Sequence, residues 1–185
     1  MAAKKKIIKY SVFKIKHGGL MFHQASDEAW MGLASTRKGI CLLVLPKSSK
    51  EEVLDTIKTR IEDAASEESD KDFEKLKKNI AGYFNGKQVD FEHSIDLTEF
   101  TPFQSAVFAI TRNIPYGETK SYRWVAKKVG NPKGCRAVGQ ALKTNSIPIL
   151  IPCHRVIEES GKIGGFSPGK GWKEKLLQLE GALLT

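Results

Sequence analysis

By residue type and setting, the sharpest chemistry in this sequence sits at Cys153, which ends the apolar run Ile147–Pro152, read as a strand, and is followed directly by His154 and Arg155. Thiolate, not thiol, is the sulfur nucleophile, and nearby positive charge favours it. Cys and His at adjacent positions do not face each other, so a proton path between them needs one water or a local turn. The competing reading is a buried hydrophobe, the usual state of a free cysteine. That reading fits Cys41, inside the apolar run Cys41–Leu45, and Cys135, beside Arg136, has little to mark it as a nucleophile. Three widely spaced cysteines without a CxxC argue against a disulfide framework, and four histidines that do not cluster with them argue against a metal site.

The elements that must hold this cysteine read as an α+β chain in two parts, 1–97 and 98–185. In the first part, a mixed sheet and helix domain, Tyr10–Lys16 alternates, His17–Gly19 turns the chain, and Leu20–His23 returns as a hairpin partner. Trp30–Ser35 and Gly39–Leu45 are further strands, the latter with the composition of a strand buried on both faces. Ser49 and Glu52 form a capping-box pattern for a helix from Lys50 to about Ala65. Ser66–Asp70 reads as a polar loop, Lys71–Phe84 as a second helix, and Lys87–Leu97 as connecting chain with a short strand near Val89–Phe91.

The second part reads as mainly helical. Thr101-Pro102-Phe103-Gln104 starts a helix running to about Arg112. Ser121 caps Tyr122–Val129, Gly130 closes it, Asn131–Gly134 turns, and Cys135–Lys143 follows. Two short helices around such a turn form a helix-turn-helix pattern. The charge supports that reading: of a net +9, residues 98–185 carry +7, and no carboxylate side chain occurs between Glu118 and Glu158. A one-signed stretch of that length points to a polyanion, with nucleic acid first and a merely solvated basic face as the alternative. The longest apolar stretch is too short to cross a bilayer and no secretory signal is readable, so a soluble, non-secreted chain without a membrane partner is expected.

Ile151-Pro152-Cys153-His154-Arg155-Val156-Ile157 resembles the active-site signature of the O6-methylguanine-DNA methyltransferase family. Tyr116–Tyr122, Gly130-Asn131-Pro132, Arg136–Gly139, Asn145, Gly164–Ser167 and Leu179-Glu180-Gly181 keep the spacing of that family's other motifs, so the resemblance covers about residues 100–183. It implies a winged helix-turn-helix-like second domain after a variable, RNase H-like first domain. It also implies a suicide repair protein, monomeric and without cofactor. Such a protein takes an alkyl group from guanine O6 (thymine O4 as an alternative) in double-stranded DNA onto its own cysteine after base flipping.

Carried over residue by residue, the resemblance makes Cys153 the acceptor. His154 would deprotonate it through a water, and Glu180 would orient that histidine. Asn145 would tie the helix-turn-helix to the active-site turn. Tyr122 would contact the base and supply a proton at N3. Ser167 would hold O6 through its N–H, and the carbonyls of Cys153 and Val156 would read the exocyclic amine. Tyr122, Arg123, Asn131, Arg136 and Ala137 would contact DNA, with Arg136 filling the space of the flipped base. Cys135, Glu158, Glu159 and Phe166 depart from the common pattern, and two carboxylates after the active-site turn would repel phosphate. A non-catalytic lesion-binding relative would lack Cys153, and a transcriptional regulator would leave Pro152–Val156 and Glu180 unexplained. The location implied is cytoplasmic for a prokaryotic source and nuclear for a eukaryotic one.

Overall fold

Strands β1 (Ile7–Lys16), β2 (Glu28–Thr36) and β3 (Gly39–Lys47) pair antiparallel in sequence, because each carries apolar residues that only a covered sheet can bury. The computed structural model describes residues 7–16, 28–61, 64–165, 169 and 171–183 and divides into two units, Met1–Asp96 and Leu97–Thr185. The hairpin expected around His17–Gly19 with Leu20–His23 lies outside the described residues.

In the first unit, helix α1 (Lys50–Arg60) begins at Ser49, whose hydroxyl accepts from the Glu52 N–H at 3.2 Å. It buries Val53 and Ile57 against Ile8, Val12, Ala34, Leu42 and Val44 of the sheet. The approach is close at Gly32, where a Cβ would stand 2.6 Å from the Val53 side chain. Leu42 to Leu45 are all buried, as a strand covered on both faces requires. Cys41 in the same strand is only partly buried, so the expectation of a fully buried hydrophobe there is corrected.

The helix expected to reach Ala65 stops at Arg60, and the segment read as a loop forms strand β4 (Ala65–Glu68), parallel to β1. The open edge of β1 needs backbone partners, and this pairing overrides the helical pattern. β4 looks polar because its last three residues are exposed. Helix α2 (Glu74–Phe84) follows a 3-10 turn at Lys71–Phe73. The strand expected near Val89–Phe91 is absent. The chain meets β3 later, where Ile40 N–H donates to the Ser94 carbonyl at 2.9 Å and Asp96 N–H to the Ile40 carbonyl at 2.8 Å.

In the second unit, helix α3 (Pro102–Arg112) carries the full capping box between Thr101 and Gln104 and buries Val107, Phe108 and Thr111. Helix α4 (Tyr122–Lys128) starts at Ser121, whose hydroxyl accepts from Trp124 N–H, and ends one residue short of the expected Val129. The turn to helix α5 (Cys135–Lys143) closes through Gly134 N–H donating to the Asn131 carbonyl at 2.8 Å. A Cβ on Gly134 would lie 2.4 Å from the Asn131 amide nitrogen, so a larger residue there would require the Asn131 side chain to move. Strands β5 (Lys120–Ser121) and β6 (Val156–Ile157) pair in parallel, with Lys120 opposite Val156 and Ser121 opposite Ile157. That two-residue ladder sets Tyr122, the first residue of α4, beside the segment leaving Cys153. Helix α6 (Trp172–Leu179) closes the unit, and it packs on the 3-10 turn Cys153–Arg155.

Candidate active site

The apolar run before Cys153 is not the strand its composition suggests. It is a tight turn in which Ile151 N–H donates to the Ile147 carbonyl at 3.0 Å. Ile149 adopts a φ of 73°, a left-handed conformation that is strained for a β-branched side chain. A side chain holds the turn in that state. The buried Asn145 Oδ1 accepts from Ile147 N–H at 2.9 Å, and its Nδ2 donates to the Ile151 carbonyl at 2.9 Å. The same amide nitrogen donates to Cys153 Sγ at 3.0 Å. Asn145 thus joins the end of α5 to the sulfur.

Cys153 opens the 3-10 turn and is buried. Burial raises its thiol to about 11, against the opposing pull of the Asn145 hydrogen bond and the Lys173 charge. The expectation of a resting thiolate, favoured by His154 and Arg155, is therefore corrected. Both of those side chains turn away into a separate buried cluster, so they do not supply the field at the sulfur. At pH 7 the resting sulfur is therefore a thiol.

His154, Arg155 and Glu180 form that cluster. His154 Nε2 lies 2.8 Å from Glu180 Oε1, with both side chains fully buried. Arg155 grips the same carboxylate with two donors, Nε to Oε2 at 2.8 Å and Nη2 to Oε1 at 3.0 Å, while Nη1 donates to the Ile114 carbonyl at 2.6 Å. Gly117 N–H adds a longer bond to Oε2 at 3.3 Å. Burial works against the charge on Glu180, but the hydrogen bonds and charges of His154 and Arg155 outweigh it and hold the carboxyl at about 2. Burial, offset in part by Glu180, lowers the His154 pKa, so the imidazole is neutral at pH 7. A carboxylate can only accept, so Nε2 carries the proton and the buried Nδ1 is the basic nitrogen.

This cluster gives the protein an acid limit. The Glu180 carboxyl lies lower folded than its ordinary 4.5, so its contribution to stability is complete above that value and is lost as pH falls toward about 2. The unfolding free energy should drop by about 3 kcal/mol across that window. Denaturant unfolding at a series of pH values checks this, and Glu180→Gln should remove most of the drop.

Tyr122 is half-buried, and burial first, then the neighbouring Cys153 and Glu158, raises its phenol pKa. Its hydroxyl lies 3.4 Å from Lys173 Nζ. The Val156 carbonyl, expected to read a base, accepts from Lys173 Nζ at 2.6 Å. Arg136 and Ala137 are exposed on the first turn of α5, and Asn131 is exposed in the turn before it. Arg123 is exposed and pairs with Glu159 at 2.8 Å, so one of the two carboxylates after the active-site turn is neutralised by a DNA-contact candidate. A pair this open is worth about 0–1 kcal/mol, and a phosphate can displace it. Ser167 and Phe166 lie outside the described residues.

Two residues escaped the sequence reading. Arg155 is the clamp on Glu180, and Lys173 is a buried lysine beside the sulfur and the phenol. The available signal for Lys173 was its offset of seven from Glu180, which puts both on one face of α6 together with Leu176 and Leu177. Among the described residues, no three His, Cys, Asp or Glu side chains gather as a metal site. No helix among them is long and apolar enough to cross a membrane.

The site holds one sulfur, one neutral imidazole and one half-buried phenol. The family profile described as "6-O-methylguanine DNA methyltransferase, DNA binding domain" matches residues 102–182. A methylated-DNA–protein-cysteine methyltransferase of Methanosarcina acetivorans is 43% identical over 115 residues, covering 62% of this chain and 73% of the relative. The inducible enzyme of that name from Bacillus subtilis is 35% identical over 148 residues, covering 80% of this chain and 82% of the relative. Among solved structures, Mycobacterium tuberculosis OGT in complex with DNA superposes with a TM-score of 0.70 at 29% identity, over 94% of this chain and 92% of that one. The O6-methylguanine-DNA methyltransferase of Pyrococcus kodakaraensis shares the fold, with a TM-score of 0.72 at 24% identity over 93% and 99% of the two chains.

Proposed function

Because this chain belongs to the O6-methylguanine-DNA methyltransferase family, we propose that Cys153 is the acceptor through which it reverses alkylation damage in DNA. A methylated-DNA–protein-cysteine methyltransferase moves an alkyl group from DNA to its own cysteine, and the stable thioether ends its working life after one turnover. The observation that carries the assignment is the buried Cys153 held by Asn145 one residue before the His154–Glu180–Arg155 cluster.

The substrate is an alkylated guanine in double-stranded DNA, bound by a monomer. The O6 substituent of a stacked base cannot reach a buried sulfur, so the nucleotide leaves the helix, at a cost of about a few kcal/mol. Arg136, exposed at the start of α5, fills the vacated space, and Tyr122, Arg123, Asn131 and Ala137 hold the backbone around it. Phosphate contacts of this kind position without reading sequence, so binding should weaken with salt and discriminate little between sequences.

In the transfer, Sγ forms a bond to the alkyl carbon as the carbon–O6 bond breaks and its electron pair passes into the purine. The thiol proton travels through a water to His154 Nδ1, the nitrogen that the Glu180 contact leaves as a base. Glu180, held at about 2, balances the imidazolium without taking its proton. Coupling proton loss to attack avoids the full cost of a free thiolate at pH 7. Tyr122 gives its phenol proton to the departing purine at N3. Ser167 N–H and the carbonyls of Cys153 and Val156 recognise the base edge.

Incubation with a duplex containing O6-methylguanine should add a single methyl group to the chain, mapped by peptide mass to Cys153. A methyl group on Cys41 or Cys135, or none on the protein, refutes the assignment. Arg136→Ala should slow repair of the duplex by at least about tenfold while leaving reaction with free O6-benzylguanine unchanged, since only the duplex needs its stack filled. Equal losses on the two substrates would remove Arg136 from that role.

A further inference from the structure

The turn between α3 and β5 grips the buried cluster through residues that the alkyl-transfer steps do not use. The Ile114 carbonyl accepts from Arg155 Nη1 at 2.6 Å, and Gly117 N–H donates to Glu180 Oε2 at 3.3 Å. Between them, the half-buried Tyr116 donates its hydroxyl at 3.1 Å to the carbonyl of Leu179, the residue before Glu180. The Arg155 guanidinium lies over the Tyr116 ring, 5.8 Å from its centre. The turn closes through Glu118 N–H donating to the Pro115 carbonyl at 3.2 Å, with Gly117 at a φ of 77° in the third place, where such turns favour glycine. A Cβ on Gly117 would stand 3.1 Å from the Glu180 carbonyl, so the turn lies close against the end of α6.

A guanidinium carries its N–H donors in one plane. For Arg155, Nε, Nη1 and Nη2 are all engaged by Glu180 and the Ile114 carbonyl, and what remains is the flat face. An aromatic ring can cover that face without taking a donor away. The Arg155 side chain is 9% exposed against 0% for His154 and Glu180, so the guanidinium is where the cluster comes nearest to solvent, and the Tyr116 ring lies against it. We infer that Tyr116 is a positioning residue for alkyl transfer: its ring seals the face of Arg155, which keeps the Arg155–Glu180 clamp dry and Glu180 fixed on His154 Nε2. The inference rests on the acceptor role of Cys153 and the base role of His154, and deepens them. Water reaching Arg155 would compete for its donors and for the Glu180 oxygens. A carboxylate able to turn no longer holds the imidazole proton on Nε2, and Nδ1 is then the base only part of the time.

The groups facing His154 give the effect a direction. Burial, the largest influence, lowers its pKa below the ordinary 6.5; Glu180 on α6 raises it; Arg155 beside it and Lys173 on α6 lower it. Cys153, the residue before it, is a thiol at pH 7. Hydration weakens burial and charge effects together, so it returns the imidazole toward 6.5, which is upward. Transfer needs that imidazole neutral. The acid limb of the rate should therefore move to higher pH when the ring is removed.

The test is the single-turnover transfer rate at saturating free O6-benzylguanine and at saturating O6-methylguanine duplex, from about pH 5 to about pH 8, for the full chain and for Tyr116→Ala and Tyr116→Phe. Tyr116→Ala should lose about tenfold or more in rate at pH 7, and equally on both substrates, because the loss lies in the base and not in DNA contact. Its acid limb should lie about half a unit above that of the unsubstituted protein. Tyr116→Phe keeps the ring and drops only the bond to Leu179, so its rate should stay within about threefold of the unsubstituted protein with the acid limb in place. A ring that merely packs would lower the melting temperature and leave the limb where it is. A folded Tyr116→Ala within about threefold of the unsubstituted protein, an acid limb that does not move, or a Tyr116→Phe as slow as the alanine variant overturns the inference. If the alanine variant does not fold, Tyr116→Leu, which fills space without a flat face, carries the same expectations. Absence of an alkyl group on Cys153 in the unsubstituted protein would refute the acceptor assignment itself, whereas an unaltered rate and limb in Tyr116→Ala refutes only the role given to the ring.

Discussion

Cys153→Ser is expected to lose alkyl transfer completely while keeping its fold and its grip on duplex DNA. The serine hydroxyl still accepts from Asn145 Nδ2, which meets the sulfur at 3.0 Å, so the turn keeps its tie to α5. The DNA-contact candidates Arg136 and Ala137 stand exposed on α5, away from the buried 3-10 turn in burial if not in sequence, and are untouched by the change. The chemistry fails because an alcohol is a far weaker acid than a thiol and its oxygen a poorer nucleophile toward carbon. Even the thiol here has been pushed to about 11, so the site has no spare driving force to ionise a hydroxyl. Intact mass after incubation with alkylated duplex, fluorescence anisotropy on the same duplex, and a melting curve check the three parts. Residual transfer to another cysteine would show that the acceptor lies elsewhere. Loss of DNA binding together with transfer would show that the sulfur is a structural element of the DNA-binding surface.

Glu180→Ala should be the most destabilising single change in the site, by about 3–5 kcal/mol, because it leaves a buried guanidinium without its counter-charge. Arg155 would retain the Ile114 carbonyl and the face of the Tyr116 ring but no counter-charge, and His154 would lose the contact that sets its tautomer. Either proton arrangement of the imidazole would then be open, and the basic Nδ1 would be populated only part of the time. Glu180→Gln separates the two effects: it preserves the shape and one acceptor but removes the charge. It should be less destabilised than the alanine variant and should still transfer more slowly than the unsubstituted protein. Denaturant midpoints and single-turnover rates at one pH distinguish these outcomes. An alanine variant as stable as the parent would mean that Arg155 finds another partner or reaches solvent.

Much of the scaffold was legible because its signals are local. The capping box at Thr101–Gln104, the Ser121 cap and the Asn131–Gly134 turn each depend on backbone groups three or four residues apart, and each appears as read. The errors in the first unit are non-local. Ala65–Glu68 is a strand because the edge of β1, more than 50 residues earlier, lacked a partner. The connecting chain bridges β3 at Ile95 and not at Val89–Phe91, because the available edge lies at Ile40. No window of neighbouring residues contains that information.

The active site divides in the same way. The order of residues marked the candidates for chemistry: a sulfur after a proline and an imidazole next to it stood out by side-chain type, and the carboxylate 26 residues on came from the resemblance to the family's motifs. Only the tertiary structure decided their charge. Adjacent in the chain, Arg155 looked like the cation that would ionise Cys153, yet it is spent on Glu180, and the charge beside the sulfur comes from Lys173, 20 residues later on α6. Ionisation depends on burial and on distances through space, which a linear order of residues does not contain. The ionisation of Cys153 is therefore a property of the packed fold.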